Sequence, residues 1–263
     1  MSRLWPSARR RRRWLRAFRR APAFTQIAGG VVALVTLWAV VNGIYQVTRK
    51  PTELFFPVSG TLYKTPSETW DAYAPLFRRY ATQVITAEFL AAVAQVEGSG
   101  NPVVRTYWRW SLRTNPFEVY RPASSAVGMY QITDGAFEEA KRYCIHDHVV
   151  VEDGPWYDLR SCWFNGLYFR VVPSHAIELT AAFLDRAVSM TLARNRIDRA
   201  TPAQKQRLAA LVHLCGTGAG DRYARGGFEL ASDLRCGDHD ARDYIARVGA
   251  MKGVFAALAA LER

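Results

Sequence analysis

Twenty-five consecutive residues, Ala23 to Val47, carry no charge. A bilayer is crossed by about 20 predominantly apolar residues, so this run is long enough to span one. Trp38 and Tyr45 lie toward its far end, where aromatic anchors favour the interface. Arg3, Arg9 to Arg13, Arg16, Arg19 and Arg20 precede it, with no acid among them. That asymmetry predicts a cytoplasmic N-terminus and an exported remainder. A cleavable signal peptide has a shorter apolar region and a small-residue cleavage site. Asn42 to Lys50 offers no such site, which favours a retained anchor. A mitochondrial transit peptide fits less well, because the apolar run is too continuous. The expected organisation is an Arg-rich leader over 1–22, an anchor over 23–47, a juxtamembrane linker over 48–66 and a domain over 67–263.

The formal net charge of +12 invites a nucleic-acid reading. Its distribution argues against one. Eleven of the 35 basic residues precede position 51, leaving 24 against 23 acids in the remainder. The exported part is therefore nearly neutral, and no nucleic-acid groove is expected. Clustered cations beside a span are instead drawn to anionic lipid.

Cys144, Cys162, Cys215 and Cys236 all follow the anchor, and an even count after an export signal reads as a disulfide framework. Short loops are entropically easier to close, which favours Cys144–Cys162 and Cys215–Cys236. Cys144, His146 and His148 also sit close enough to raise a metal site, but they lack a matched second half, and no metal is expected.

The exported part reads as mainly α-helical. Ser67 can cap a helix to about Tyr80. Thr86 can cap the next, with Glu88 in its first turn. Thr133 and Asp134 open a short helix toward Tyr143, and Pro173 starts one to about Arg194. Thr201 and Pro202 start another, and Asp240 to Leu261 is the last. Residues 98–132 and 144–172 read as long irregular stretches. Phe169 to Val172 is the best candidate for a short strand.

The Thr86 helix carries Phe89, Leu90, Val93 and Ala94 at helical spacing, and Glu97 falls on that same face. Gly98 reads as its C-terminal stop. Apolar burial and the negative end of the helix dipole would each disfavour the carboxylate and raise its pKa. A general acid working near neutral pH needs that shift. The plainer alternative is a helix-end Glu turned toward solvent.

Four pieces, AVAQVEGSGNP, SSAVGMYQIT, LVHLCGTGAG and ARDYIARV, occur in that order. Together they resemble the soluble lytic transglycosylase family, whose domain has the goose-type and phage-type lysozyme fold. The resemblance covers roughly residues 85–250. It implies a lysozyme-like helical domain with long loops behind one N-terminal transmembrane helix. It places Glu97 as the catalytic acid. It places Ser99, Met129, Tyr130, Gln131, His213 and Tyr244 on the substrate side, with Met129 and Tyr130 as a cleft wall touching sugar faces. Plainer readings stand beside these: Gln131 as a loop-tying amide, Tyr244 as a half-buried helix residue and His213 as a satisfied core histidine. The chain departs from the family pattern at Gly98, where Ser is usual, at Met129-Tyr130, where Leu-Met is usual, and at His213-Leu214, where Tyr-Asn is expected. Arg105 to Pro122 reads as an insertion. Its Tyr107, Trp108, Trp110, Phe117 and Tyr120 suit stacking on sugars at a cleft rim.

The resemblance implies cleavage of the MurNAc–GlcNAc β-1,4 bond of peptidoglycan with formation of a 1,6-anhydroMurNAc end, without cofactor or metal. It implies glycan strands as substrate, with the domain periplasmic on a single-pass protein of the bacterial inner membrane and a cell-envelope complex as an open partner. One carboxylate suffices, because the sugar supplies its own nucleophile. A hydrolase normally needs two, roughly 5 Å apart if retaining and 6.5–9.5 Å if inverting. Glu118 and Asp134 are the candidates for a second, and neither has an evident role. A hydrolytic muramidase and a non-catalytic peptidoglycan-binding scaffold are the alternatives on the same fold.

Overall fold

The computed structural model describes residues 18–111, 115–158 and 160–262. The leader up to residue 17 lies outside them. Helix covers 59% of the chain and strand 9%, which makes the protein mainly helical.

The chain divides into two compact units. One comprises residues 1–51 and 108–121, the other 52–107 and 122–263. These boundaries differ from those expected at 47/48 and 66/67. Most of the supposed linker belongs to the larger unit, and the aromatic insert belongs to the smaller one.

In the smaller unit, α1 (Ala23–Arg49) is the apolar helix. Phe24, Ile27, Val32 and Leu34 are each more than half exposed, so its apolar surface is not consumed by protein packing over this part. A two-stranded hairpin, β1 (Trp108–Trp110) with β2 (Tyr120–Pro122), lies against the later half of α1. The rings of Trp108 and Trp110 pack on Tyr120, Trp110 stacks on Trp38, and Phe117 meets Tyr45. These aromatics therefore have ring partners within their own unit, while Trp110 and Tyr107 remain 69% and 65% exposed.

In the larger unit a short helix, α2 (Phe56–Ser59), precedes α3 (Pro66–Tyr80). Thr65, not Ser67, caps α3 in a reciprocal capping box with Glu68, and Pro66 takes the first helical position. Next comes α4 (Ala87–Gly98), capped by the Thr86 hydroxyl, which accepts from the Phe89 amide. It is the central helix. Leu90, Ala91, Ala92, Val93 and Ala94 are all fully buried. A helix apolar all round belongs inside, so the single face read from periodicity understates its burial. The alanines leave little side-chain bulk, and helices approach from several sides.

The remaining elements are α5 (Asp134–Ala140), the hairpin β3 (Tyr143–His146) with β4 (Val149–Glu152), α6 (Pro173–Arg194), α7 (Pro202–Cys215), α8 (Thr217–Arg225), the short ladder β5 (Arg235–Cys236) with β6 (His239–Asp240), and α9 (Ala241–Leu261). Strands occur in these ladders and not at Phe169–Val172, which is turn. α3, α6 and α9 pack on α4, and α7 packs on α6, α8 and α9. Both α1 and α9 are long and apolar enough to cross a membrane. α9 differs from α1 in placing Tyr244, Val248 and Phe255 in the core.

Both disulfides expected from the sequence are present, Cys144–Cys162 and Cys215–Cys236. The first engages Cys144, which removes it from any CxHxH metal set, and His148 instead meets the Ala81 carbonyl through Nδ1 at 2.8 Å.

Candidate active site

Glu97 lies in the last turn of α4 and is mostly buried, its side chain 17% exposed. Helix termination positions it. Gly98 is still helical, and Ser99 takes the left-handed cap conformation, with φ 48°. A Cβ on Gly98 would stand 2.9 Å from both the Met129 Cα and a Val104 methyl. The loop 126–132 thus lies directly on bare helix backbone, one residue from the carboxylate. This is why glycine occupies the position where the resemblance expects serine. Gly98→Ser is expected to lower stability by about 1–3 kcal/mol through overpacking. An unchanged denaturation midpoint would contradict that close approach.

The same loop holds the other residues read from the sequence. Gly128 has φ 78°, and a Cβ there would meet the Arg170 carbonyl oxygen at 2.4 Å. The Gln131 side-chain amide donates to the carbonyls of Gly128 at 2.9 Å and Val104 at 3.3 Å, so it ties the loop down. Met129 and Tyr130 are fully buried, and the Tyr130 hydroxyl donates to the Leu90 carbonyl. A sugar cannot reach side chains with no exposed surface. The expected cleft wall is corrected to a pair of core residues that seat the loop on α4. Ser99 is half-buried at the helix cap.

Two distant helices complete the surroundings of Glu97. The Tyr244 hydroxyl, from the first turns of α9, donates to Glu97 Oε1 at 2.6 Å. His213, from the last turn of α7, places Nε2 3.5 Å from the same oxygen, with its side chain 11% exposed. That separation is within ion-pair reach and long for a hydrogen bond. Burial, and then the Glu97 carboxylate beside it, pushes the Tyr244 phenol well above its ordinary value. It therefore stays protonated and acts as a donor.

The balance on Glu97 itself is the main correction to the sequence reading. Burial is the largest single influence and raises its pKa, as expected. His213, by hydrogen bonding and by charge, then the Tyr244 hydroxyl and the charge of His239, together outweigh burial, and the net shift is downward. Periodicity revealed the burial and not the partners. The groups acting on Glu97 are imidazoles and a phenol; no second carboxylate is among them. Asp134 is the first residue of α5 and pairs with Arg170 at 2.8 Å. Glu118 belongs to the smaller unit.

His239 was not singled out from the sequence. Its signal was present in the cysteines: Cys215 is two residues after His213, and Cys236 three before His239. The disulfide draws the end of α7 to the β5–β6 ladder, and Asp240 at the end of that ladder caps α9, accepting from the amides of Arg242 and Asp243. One crosslink therefore fixes the segments bearing His213, His239 and Tyr244. Opening it by a Cys215→Ser, Cys236→Ser double change is expected to cost about 3 kcal/mol for a loop of this size. Chemical denaturation measures that loss, and unchanged stability would contradict it.

A cavity of about 200 Å³ opens beside His213, lined by Gln131, Ile132, Thr133, Thr180, Phe183 and Leu214 among others. The buried Thr180 hydroxyl has no hydrogen-bond partner among the described residues. The arrangement as a whole offers one carboxylate able to give and take a proton, a phenol that orients it, and an imidazole that tunes its charge. Among the described residues no group of His, Cys, Asp and Glu is placed to hold a metal. No family model matches the chain, and no match was found among curated proteins.

Proposed function

We propose that the protein is a membrane-anchored lytic transglycosylase with a lysozyme-like domain, acting on the glycan strands of peptidoglycan. The observation that carries this reading is a mostly buried carboxylate, Glu97, at a helix end, held by the Tyr244 hydroxyl and within ion-pair reach of His213. Such a site suits a reaction in which the substrate provides its own nucleophile. Glu97 donates its proton to the glycosidic oxygen as the bond from MurNAc carbon one breaks. The resulting carboxylate then takes the proton from the hydroxyl on carbon six of the same sugar. That oxygen closes on carbon one, giving the 1,6-anhydro end, and no water is consumed. The lowered pKa sustains the ionised form of Glu97 between the two halves and confines the protonated form that opens the reaction to more acidic pH.

On this reading α1 holds the protein in the bacterial inner membrane, with the N-terminus cytoplasmic and the domain periplasmic. Ser99 and His213 stand on the substrate side, Tyr244 acts from the core by orienting Glu97, and Met129, Tyr130 and Gln131 act by holding the loop. The full-length protein in detergent is expected to release soluble fragments from purified sacculi. Binding to sacculi without any release would replace the enzyme reading with that of a peptidoglycan-binding scaffold.

A further inference from the structure

Residues 108–111 and 115–121 have no part in the proposed chemistry, yet Trp110, Pro116, Phe117 and Tyr120 among them contact α1. Trp38 Nε1 donates to the Pro116 carbonyl at 3.1 Å, Asn42 Nδ2 to Tyr120 at 2.9 Å, and Gln46 Nε2 to Phe117 at 2.6 Å. Residues 38, 42, 45 and 46 share one helix face, and the hairpin covers it. Asn42 and Gln46 are thereby buried, each with its side-chain NH2 bonded to the hairpin, while the Asn42 Oδ1 has no partner among the described residues.

The depth of these contacts is fixed by length. Ala23 to Leu37 is 15 residues, which rise about 22 Å, short of the roughly 30 Å hydrocarbon core. The opposite face of α1 carries the same message. Val40 and Ile44 are 54% and 61% exposed, so apolar surface continues outward well past Trp38. Ala23 to Ile44 spans about 33 Å, which matches the bilayer core. The bilayer that covers Ile44 on one face reaches the hairpin on the other.

We infer that the β1–β2 hairpin is a lipid-facing collar. It lies in the outer part of the bilayer against α1, with Trp110 in the lipid interface. Trp110 keeps 69% of its surface exposed while stacking on Trp38 and Tyr120, and tryptophan favours that interface. Arg109 points to the face opposite Trp108 and Trp110, is exposed, and can carry its charge to the headgroups. The occupant of this surface is phospholipid, and the inference rests on reading α1 as a span.

The test uses the full-length protein in vesicles of phosphatidylethanolamine and phosphatidylglycerol. A nitroxide is placed at Trp110→Cys, at Val35→Cys within the span, and at the exposed Asp233→Cys as a water reference. Relaxation by oxygen, which concentrates in lipid, is compared with relaxation by a water-soluble nickel chelate. The oxygen-to-nickel ratio at 110 is expected to exceed that at 233 several-fold and to approach that at 35. In the Asn42→Ala, Gln46→Ala background the ratio at 110 is expected to fall toward the water value while that at 35 holds. A watery ratio at 110 with a lipid ratio at 35 would overturn the collar and leave the anchor intact. A watery ratio at both would remove the anchor and the collar together. None of these outcomes depends on enzymatic activity, so failure of the catalytic reading remains separately visible. Nickel accessibility at 110 that is lost on adding soluble glycan fragments would overturn the collar in favour of a sugar-binding insert.

Discussion

Glu97→Gln is expected to reduce release of fragments from sacculi by about 10²–10⁴-fold, the usual contribution of a positioned general acid. Glutamine matches glutamate in size, and its amide oxygen can still accept from the Tyr244 hydroxyl that now bonds Oε1. Burial opposes the charge while His213, Tyr244 and His239 favour it, so removing the charge removes terms of both signs. The variant should therefore unfold cooperatively, close to the parent midpoint, while losing activity. Activity within a few-fold of the parent would mean that another group delivers the proton, and the assignment of Glu97 would be lost.

The second large effect concerns pH. Glu97 ionises below its ordinary value, so its protonated form becomes scarce as pH rises through the acidic range. kcat/KM is expected to fall about tenfold per pH unit above the pKa of the free enzyme's acid. His213→Asn removes the leading influence that opposes burial. The Glu97 pKa should then rise, and the descending limb should move to higher pH. The stability consequence has the opposite direction. A depressed carboxylate pKa contributes stability that is fully present above the unfolded value of 4.5 and is lost as pH falls through the lower folded value. In His213→Asn that acid-range contribution should shrink. Paired pH profiles of kcat/KM and of denaturant midpoint measure both. A descending limb that stays in place in His213→Asn would contradict the tuning role; a shift shows that His213 acts on the Glu97 proton and does more than fill the core.

Much of the local structure was legible because its causes are local. Thr86, Thr201-Pro202 and Asp240 each mark a helix start through capping chemistry contained within a few residues. The long apolar helix was legible from length and composition alone, and the disulfide pairing from loop length. The site was only half legible. Helical spacing put Glu97 on a buried face, but its partners come from α7 and α9, more than a hundred residues later, brought in by tertiary packing and one crosslink. The Glu97 pKa consequently runs opposite to the value expected from burial and dipole. Met129 and Tyr130 read as cleft residues because the closeness of loop to helix at Gly98 has no one-dimensional signature. The aromatics of Arg105 to Pro122 read as suited to sugar stacking, and dense rings on a loop do not reveal which surface they meet. Their partners, Trp38 and Tyr45, were visible only as belt residues of the span.

Glu97 is proposed to cleave the glycan without water. Digestion of sacculi by the full-length protein in oxygen-labelled water, followed by mass analysis of the new ends, tests it most directly. The account predicts anhydro ends, one water lighter than a reducing end and free of the label. Labelled reducing ends would contradict it and identify a hydrolase.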